Sequence, residues 1–475
     1  MKDKKKFIKN IISVMIANII SLLGSITSGF LLPKIFNIEE YGYYKIFTLY
    51  MSYAGLLHFG FLDGMLLKIS GMKYEELDKQ KYRKITMFYA VFQLFVCLFV
   101  LLISFSMERQ YHYIFFFLGL CIFSTNLITY FQFISQATMR FNEFSIVKVV
   151  TSVLTFFSIC ILYGIYLVYG SVIKSKYYIM IFTCINWIIL LYYLYKYRGI
   201  VFGKIKCNSF IINDIKIFFT RGFILTISYQ ILQMLLNLDR QFVALAFSIS
   251  EYAVYSFAYS LISMITTVIS AISLVLFPTL KRVNKEVAIK YFAKSLSSIE
   301  VLVLACLGGY YPLAKVIDIF LPEYKESIEY LIILFPGLVV SSCITIVVFT
   351  YYKLFEYNVR FFIISCSTLG ISFLLNLCAW KLYKSPSAIS FASVISMLIW
   401  FIATIVNLRY EVQIKWRENF IYVVVVGCIF YIISYNIKNL IVGFFTYEVS
   451  FLFLSFLFYH SEIKKCVSVL KKMRI

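Results

Sequence analysis

Glu40-Tyr41-Gly42-Tyr43-Tyr44 recurs as Glu251-Tyr252-Ala253-Val254-Tyr255, and Glu40 and Glu251 lie 211 positions apart. Each copy follows one long apolar segment and opens the next. The same offset carries Ile85, where a third apolar segment begins, onto Leu296, and Tyr195, where a sixth ends, onto Val406. The chain therefore reads as two six-helix halves in tandem. Because six is even, both halves enter from the same side, as parallel repeats about an axis along the membrane normal.

Working outward from the repeat, a first apolar run continues to Pro33 after a lysine-rich start. Further runs follow at Tyr43-Leu62, Ile85-Phe105, Tyr113-Ile134, Ile146-Tyr169, Tyr177-Tyr195, Gly222-Phe247 and Tyr252-Thr279. The rest are Leu296-Ile319, Ile328-Tyr352, Phe361-Leu382, Ser387-Leu408, Phe420-Ile437 and Leu440-Tyr459. Each is near the ~20 residues that cross a hydrocarbon core. The expected fold class is an all-α polytopic membrane protein of about 14 transmembrane helices: parallel repeats of helices 1-6 and 7-12 around a central cleft, plus two C-terminal helices. The expected divisions are 1-196, the first half; 197-217, a cytoplasmic linker; 218-409, the second half; and 410-475, two added helices and a basic tail.

Composition agrees. With 61% hydrophobic residues, 14% charged residues and a mean hydropathy of +0.86, the 475-residue chain carries more apolar surface than a soluble core can hide. Most of the 45 Lys and Arg fall in segments that share a side with the amino terminus, including Lys464, Lys465, Lys471, Lys472 and Arg474. The net charge of +22 is thus the positive-inside pattern, with both termini cytoplasmic, and gives no reason to expect nucleic acid as a partner. The eleven Cys form no CxxC pair and the three His are scattered, so no metal and no disulfide framework is expected. No phosphate-binding glycine loop, nucleophile elbow or HExxH is present, and the loops are too short for a catalytic domain. No catalytic residue is expected.

Two polar stripes interrupt the apolar spans. Thr226, Gln230, Gln233, Asn237 and Arg240 are spaced 4, 3, 4 and 3, one face of a helix. Asn18, Ser21, Ser25 and Ser28 are spaced 3, 4 and 3 in span one, and adding 212 to each gives the second-half positions. Amides are costly in hydrocarbon, so these faces should line the cleft, with Asn18, Ser21, Ser25, Gln230, Gln233, Asn237 and Arg240 as its walls. Span four carries Thr125, Thr129, Gln132, Gln136 and Arg140, equally suited to interhelical hydrogen bonds. Glu300 and Glu448 lie deep in spans without an evident partner.

Leu31-Leu32-Pro33 with Glu39 to Tyr44, Phe59-Gly60-Phe61-Leu62-Asp63-Gly64 with Lys68, Asn237-Leu238-Asp239-Arg240 with Glu251 to Tyr255, Phe277-Pro278, and Leu321-Pro322-Glu323-Tyr324-Lys325 resemble the polysaccharide-biosynthesis (O-antigen type) flippases. These belong to the multidrug/oligosaccharidyl-lipid/polysaccharide (MOP) exporter superfamily. The resemblance covers twelve helices, and two more suit the longer members. It implies movement of an undecaprenyl-diphosphate-linked oligosaccharide between the leaflets of a bacterial plasma membrane by alternating access, for O-antigen or capsule synthesis. It also implies no cofactor, coupling to a proton or sodium gradient, and membrane lipids and polysaccharide polymerase machinery as partners. Phosphate recognition favours Lys and Arg, so Lys45, Lys68, Arg221 and Arg240 are the diphosphate candidates. Span one has no Lys or Arg between Lys9 and Lys34, so a cationic site must draw on other helices.

Two other functions compete. A multidrug or cation antiporter of the same fold favours a carboxylate in the first-half stripe, which here holds only Asn and Ser. A membrane glycan polymerase would favour a large outer loop.

Overall fold

The computed structural model describes the backbone of residues 2–138, 140–170, 172–204, 211–281, 285–412 and 416–473. The side chains of residues 2–15, Phe141, 267–279, 281, 285, 338–339 and 460–473 are not described. The ends of the lysine-rich start, the linker and the basic tail, with Phe277-Pro278, thus fall wholly or partly outside the described residues. Every regular element among those described is helical. Among the described residues twelve helices are long and apolar enough to cross a membrane, so the chain is a multi-pass membrane protein. It divides into two compact units, Met1–Met234 and Leu235–Ile475.

The first unit contains α1 (Lys2–Ile35), α2 (Ile38–Met51), α3 (Phe61–Ile69), α4 (Lys79–Ser106), α5 (Arg109–Ala137), α6 (Phe141–Tyr169), α7 (Ser175–Lys196), the short α8 (Arg198–Val201) and α9 (Ile212–Ala246) as far as Met234. α9 starts ten residues before the expected span seven and takes in the end of the expected linker. α5 is central, packed by α2, α3, α4 and α7, while α1 lies along α6. Stacked rings fill this core: Phe61 on Tyr89 at 4.8 Å and Tyr89 on Tyr130 at 5.4 Å between centroids, with Phe131 on Tyr197 at 5.4 Å.

The expected continuous span Tyr43-Leu62 is broken. After α2 the chain makes a 3-10 turn, Ala54–His58, then passes through left-handed Phe59 (φ 50°) and Gly60 (φ 87°) before α3. A break at membrane depth frees carbonyls that no water satisfies. Gln93, 0% exposed, donates to the Leu57 carbonyl at 3.1 Å, and Asn126 donates to the Ala54 carbonyl at 3.3 Å and to Gln93 Oε1 at 2.9 Å. α4 and α5 therefore cap the break from the side.

The stub α3 crosses α9 at glycines. A methyl group on Gly222 would meet the Gly60 carbonyl and the Gly64 nitrogen, and one on Gly64 would meet the Phe218 carbonyl. Small residues allow such backbone approach between membrane helices. The crossing is flanked by Thr226, which donates to Asp63, and by Asp214, which pairs with both Lys68 and Lys81.

The second unit holds the rest of α9, α10 (Ile249–Lys281), α11 (Lys285–Ala305), α12 (Tyr310–Phe320), α13 (Ser327–Cys343), α14 (Phe349–Leu354), α15 (Asn358–Tyr383), α16 (Pro386–Val412), α17 (Trp416–Asn436) and α18 (Leu440–Met473). Here α13 is central, packed by α10, α11, α16 and α17, while α17 pairs with α18. Two expected continuous spans are again interrupted: a 3-10 turn, Cys306–Gly309, separates α11 from α12, and a π segment, Ile344–Val348, separates α13 from α14. A tyrosine serves the backbone beside the first: Tyr447 donates to the Leu304 carbonyl at 2.6 Å, while Tyr431 donates to the Ile333 carbonyl at 2.8 Å within α13. α18 runs past the expected end at Tyr459, where the backbone kinks (φ −123°).

The glycine crossing yields a test. Gly→Ala within an exposed helix stabilises by roughly 0.5–1 kcal/mol, and Gly164 and Gly370 have open space around them. Gly164→Ala and Gly370→Ala should keep or raise the melting temperature of detergent-purified protein, whereas Gly222→Ala should cost about 1–3 kcal/mol through overpacking. Equal melting of all three would remove the crossing from the fold's requirements.

Candidate functional site

On α1, Ile16, Ile19, Leu23 and Ile26 form an exposed apolar ribbon, and Asn18, Ser21, Ser25 and Ser28 lie on the opposite side. Ser25 is exposed, and Asn18, Ser21 and Ser28 are half-buried. Ser25 donates to the Ser21 carbonyl at 3.0 Å and Ser28 to the Ser25 carbonyl at 2.9 Å, so these hydroxyls are satisfied by their own helix while their oxygens can still accept. Asn18 differs, because its Oδ1 accepts from Lys148 Nζ of α6 at 2.6 Å.

Sequence reasoning did not single out Lys148. Its position on the helix was nevertheless informative. Ile146, Val150, Val153, Phe157 and Ile161 form the exposed apolar ribbon of α6, and Lys148 projects from the other side. Gly24 brings α1 close to Ser152, one turn further along the same face.

The α9 stripe is shared between the units. In the first, Thr226 is engaged by Asp63, and Gln230, 4% exposed, abuts Gly55 in the break of span two with its Oε1 unsatisfied among the described residues. Gln233 is half-buried. In the second, Arg240 Nη1 donates to Asn237 Oδ1 at 2.9 Å and the guanidinium lies 5.5 Å from the centroid of the Tyr259 ring. Asp239, 1% exposed, accepts from the Tyr255 hydroxyl at 2.7 Å, from the Tyr259 hydroxyl and from the Arg240 N–H at 2.7 Å. The structure therefore joins Asn237 to Arg240 and adds a buried carboxylate with two phenols that the stripe did not include.

The other diphosphate candidates are dispersed. Lys45 lies over the rings of Tyr41 and Tyr44 at 5.0 and 5.3 Å, midway along α2. Lys68, in the last turn of α3, shares Asp214 with Lys81. These two lysines stand on separate helices, on either side of the break at Ala54–His58. Arg221 is exposed. Arg140 of the span-four stripe pairs with Glu143, which also accepts from Tyr197, and stacks on Tyr74 at 4.5 Å. Glu300, 0% exposed, accepts from Asn419 at 2.9 Å and Tyr459 at 2.7 Å, partners too distant in sequence to be anticipated. Glu448 abuts Gly308 in the interruption of span nine. Among the described residues no cluster of His, Cys, Asp and Glu could hold a metal.

Both copies of the repeated motif contribute, differently. Glu40 reaches the start of α7, accepting from the Ser175 N–H and hydroxyl at 2.7 Å each. Glu251 instead closes a capping box with Ser248 at the start of its own helix.

No protein-family model matches the sequence, and no curated protein matches it. Solved structures do. The lipid II flippase MurJ in an inward closed conformation matches at a TM-score of 0.69 and 12% identity, over 96% of this chain and 100% of that one. An inward-facing multidrug resistance MATE family transporter of the MOP superfamily matches at 0.63 and 14%, over 84% and 94%. A MOP superfamily transporter from Pyrococcus furiosus, described as having a binding pocket of reversed polarity, matches at 0.56 and 13%, over 85% and 96%. At such identities the likeness establishes the fold, which is that of MOP superfamily transporters.

If the polar side of α1 meets water, cysteines there will report it. In a cysteine-free background, Ser21→Cys and Ser25→Cys should react with a membrane-impermeant maleimide, while Ile19→Cys, Leu23→Cys and buried Gln230→Cys should not. Uniform silence would place the stripe in lipid or in sealed packing.

Proposed function

We propose that this protein is a flippase for an undecaprenyl-diphosphate-linked oligosaccharide repeat unit, moving it from the cytoplasmic to the outer leaflet by alternating access for surface polysaccharide synthesis. The observation that carries the reading is chemical. α1 presents an amide, hydroxyl oxygens and, through Lys148, an ammonium group, with no carboxylate among them. A sugar needs hydrogen-bonding groups and a diphosphate needs cations, whereas a cationic drug would be repelled by this face. The polyprenyl tail can remain in lipid. Extent of match supports the same reading: the lipid flippase match covers nearly the whole chain, whereas the multidrug transporter match omits 16% of it.

A second reading has its own support. Asp239, buried beneath two tyrosine hydroxyls, is the kind of intramembrane carboxylate that a cation antiporter uses. In the flippase reading the same group is a candidate for coupling to a proton or sodium gradient. Polymerase machinery that consumes the flipped unit is the proposed functional partner.

The deciding experiment is deletion with complementation. Cells lacking the protein should accumulate one short undecaprenyl-diphosphate-linked glycan on the cytoplasmic leaflet, and a plasmid copy should clear it. Unchanged lipid-linked glycans together with increased sensitivity to cationic drugs would favour the antiporter.

A further inference from the structure

We infer that Lys148, oriented by Asn18, is the residue through which the first unit grips the phosphate of its cargo; the inference rests on the flippase reading. A lysine within a spanning helix normally extends its ammonium toward the membrane surface along lipid. Lys148 does not, because it leaves α6 on the side opposite Ile146, Val150, Val153 and Phe157 and turns to Asn18 of α1. Its partner is neutral. Among the described residues no carboxylate lies within ion-pair distance of Lys148, whereas Lys68 and Lys81 share Asp214, and Arg140 and Lys196 share Glu143. The ammonium has three donors, and Asn18 takes one. The remaining two and the uncompensated charge suit a phosphate oxygen, which lysine binds as a point charge.

This also answers the lack of a cation in span one. Asn18 belongs to the α1 stripe, and the charge missing from that helix is delivered to it from α6. The ligand chemistry is an anionic phosphate on a lipid, and two sources offer it: a polyprenyl diphosphate or the headgroup of an ordinary membrane phospholipid.

The test measures binding of undecaprenyl diphosphate, undecaprenol and phosphatidylglycerol to the full chain in phosphatidylcholine nanodiscs. Lys148→Gln keeps an amide that can hold Asn18 but loses the charge; Lys148→Arg keeps the charge. Asn18→Asp leaves Lys148 intact and neutralises it with an adjacent carboxylate, without creating a void. Lys148→Gln and Asn18→Asp should each weaken undecaprenyl diphosphate binding at least about tenfold, with Lys148→Arg within about threefold, tenfold being 1.4 kcal/mol. Undecaprenol should bind all four proteins alike. Wild-type binding by both Lys148→Gln and Asn18→Asp would overturn the assignment and leave the flippase reading standing. Phosphatidylglycerol binding as tightly, with the same dependence on Lys148, would make the site a seat for bulk lipid and overturn its link to cargo. Failure of the wild-type protein to bind undecaprenyl diphosphate would overturn the flippase reading and this inference together.

Discussion

A helix that breaks inside a bilayer must find partners for the carbonyls it frees, because no water is there to take them. That constraint organises this protein. Span two breaks at Ala54–His58 and is capped by Gln93 and Asn126, while span nine is interrupted at Cys306–Gly309 beside Tyr447, which takes the Leu304 carbonyl. Each capping side chain reaches from a neighbouring helix, so the break and the packing around it stand or fall together. Leaving such a buried acceptor unpaired costs about 1–3 kcal/mol. The break in span two also shapes what surrounds it, since the turn at Phe59 and Gly60 leads into α3, which lies against Gly222 of α9.

Charge in the first unit follows a second rule. Two of its acids each answer two cations: Asp214 holds Lys68 and Lys81, and Glu143 holds Arg140 and Lys196. These groups sit near helix ends, where ion pairs fasten one element to the next and the remaining positive charge lies toward the surface. Lys148 departs from that pattern, a cation inside a helix pair with an amide for a partner. A neutral partner orients an ammonium without cancelling it, which is the condition for binding an external anion.

The fold was largely legible because hydrophobic run length is a local property that a bilayer enforces strictly. The α9 stripe was legible for the same reason, since spacings of 4 and 3 report one helical face. The break in span two was not, because Ser52, His58 and two glycines do not by themselves end an apolar run and the residues that tolerate the break, Gln93 and Asn126, lie on other helices. The candidate site was half legible. Asn18 and Arg240 stand on stripes that the spacing reveals, but Lys68 looked available only until its acid, 146 residues away, came into contact, and Lys148 drew no notice because its partner Asn18 lies 130 residues away. Pairings at such separation leave no periodic trace in a single sequence.

The two added helices show how polar groups can fasten an appendage without a hydrophobic driving force. Apolar helices gain little from one another in lipid, so their attachment rests on packing and hydrogen bonds. α17 and α18 bring Asn419 and Tyr459 onto one oxygen of Glu300 in α11, and Tyr422 and Ser455 bond to each other one turn away at 2.8 Å. A carboxylate offers more acceptor sites than a hydroxyl or an amide, so one residue of α11 can hold two helices at once. The pair of helices therefore docks as a unit, with Glu300 as the point where both are tied to the helix that already packs on α13.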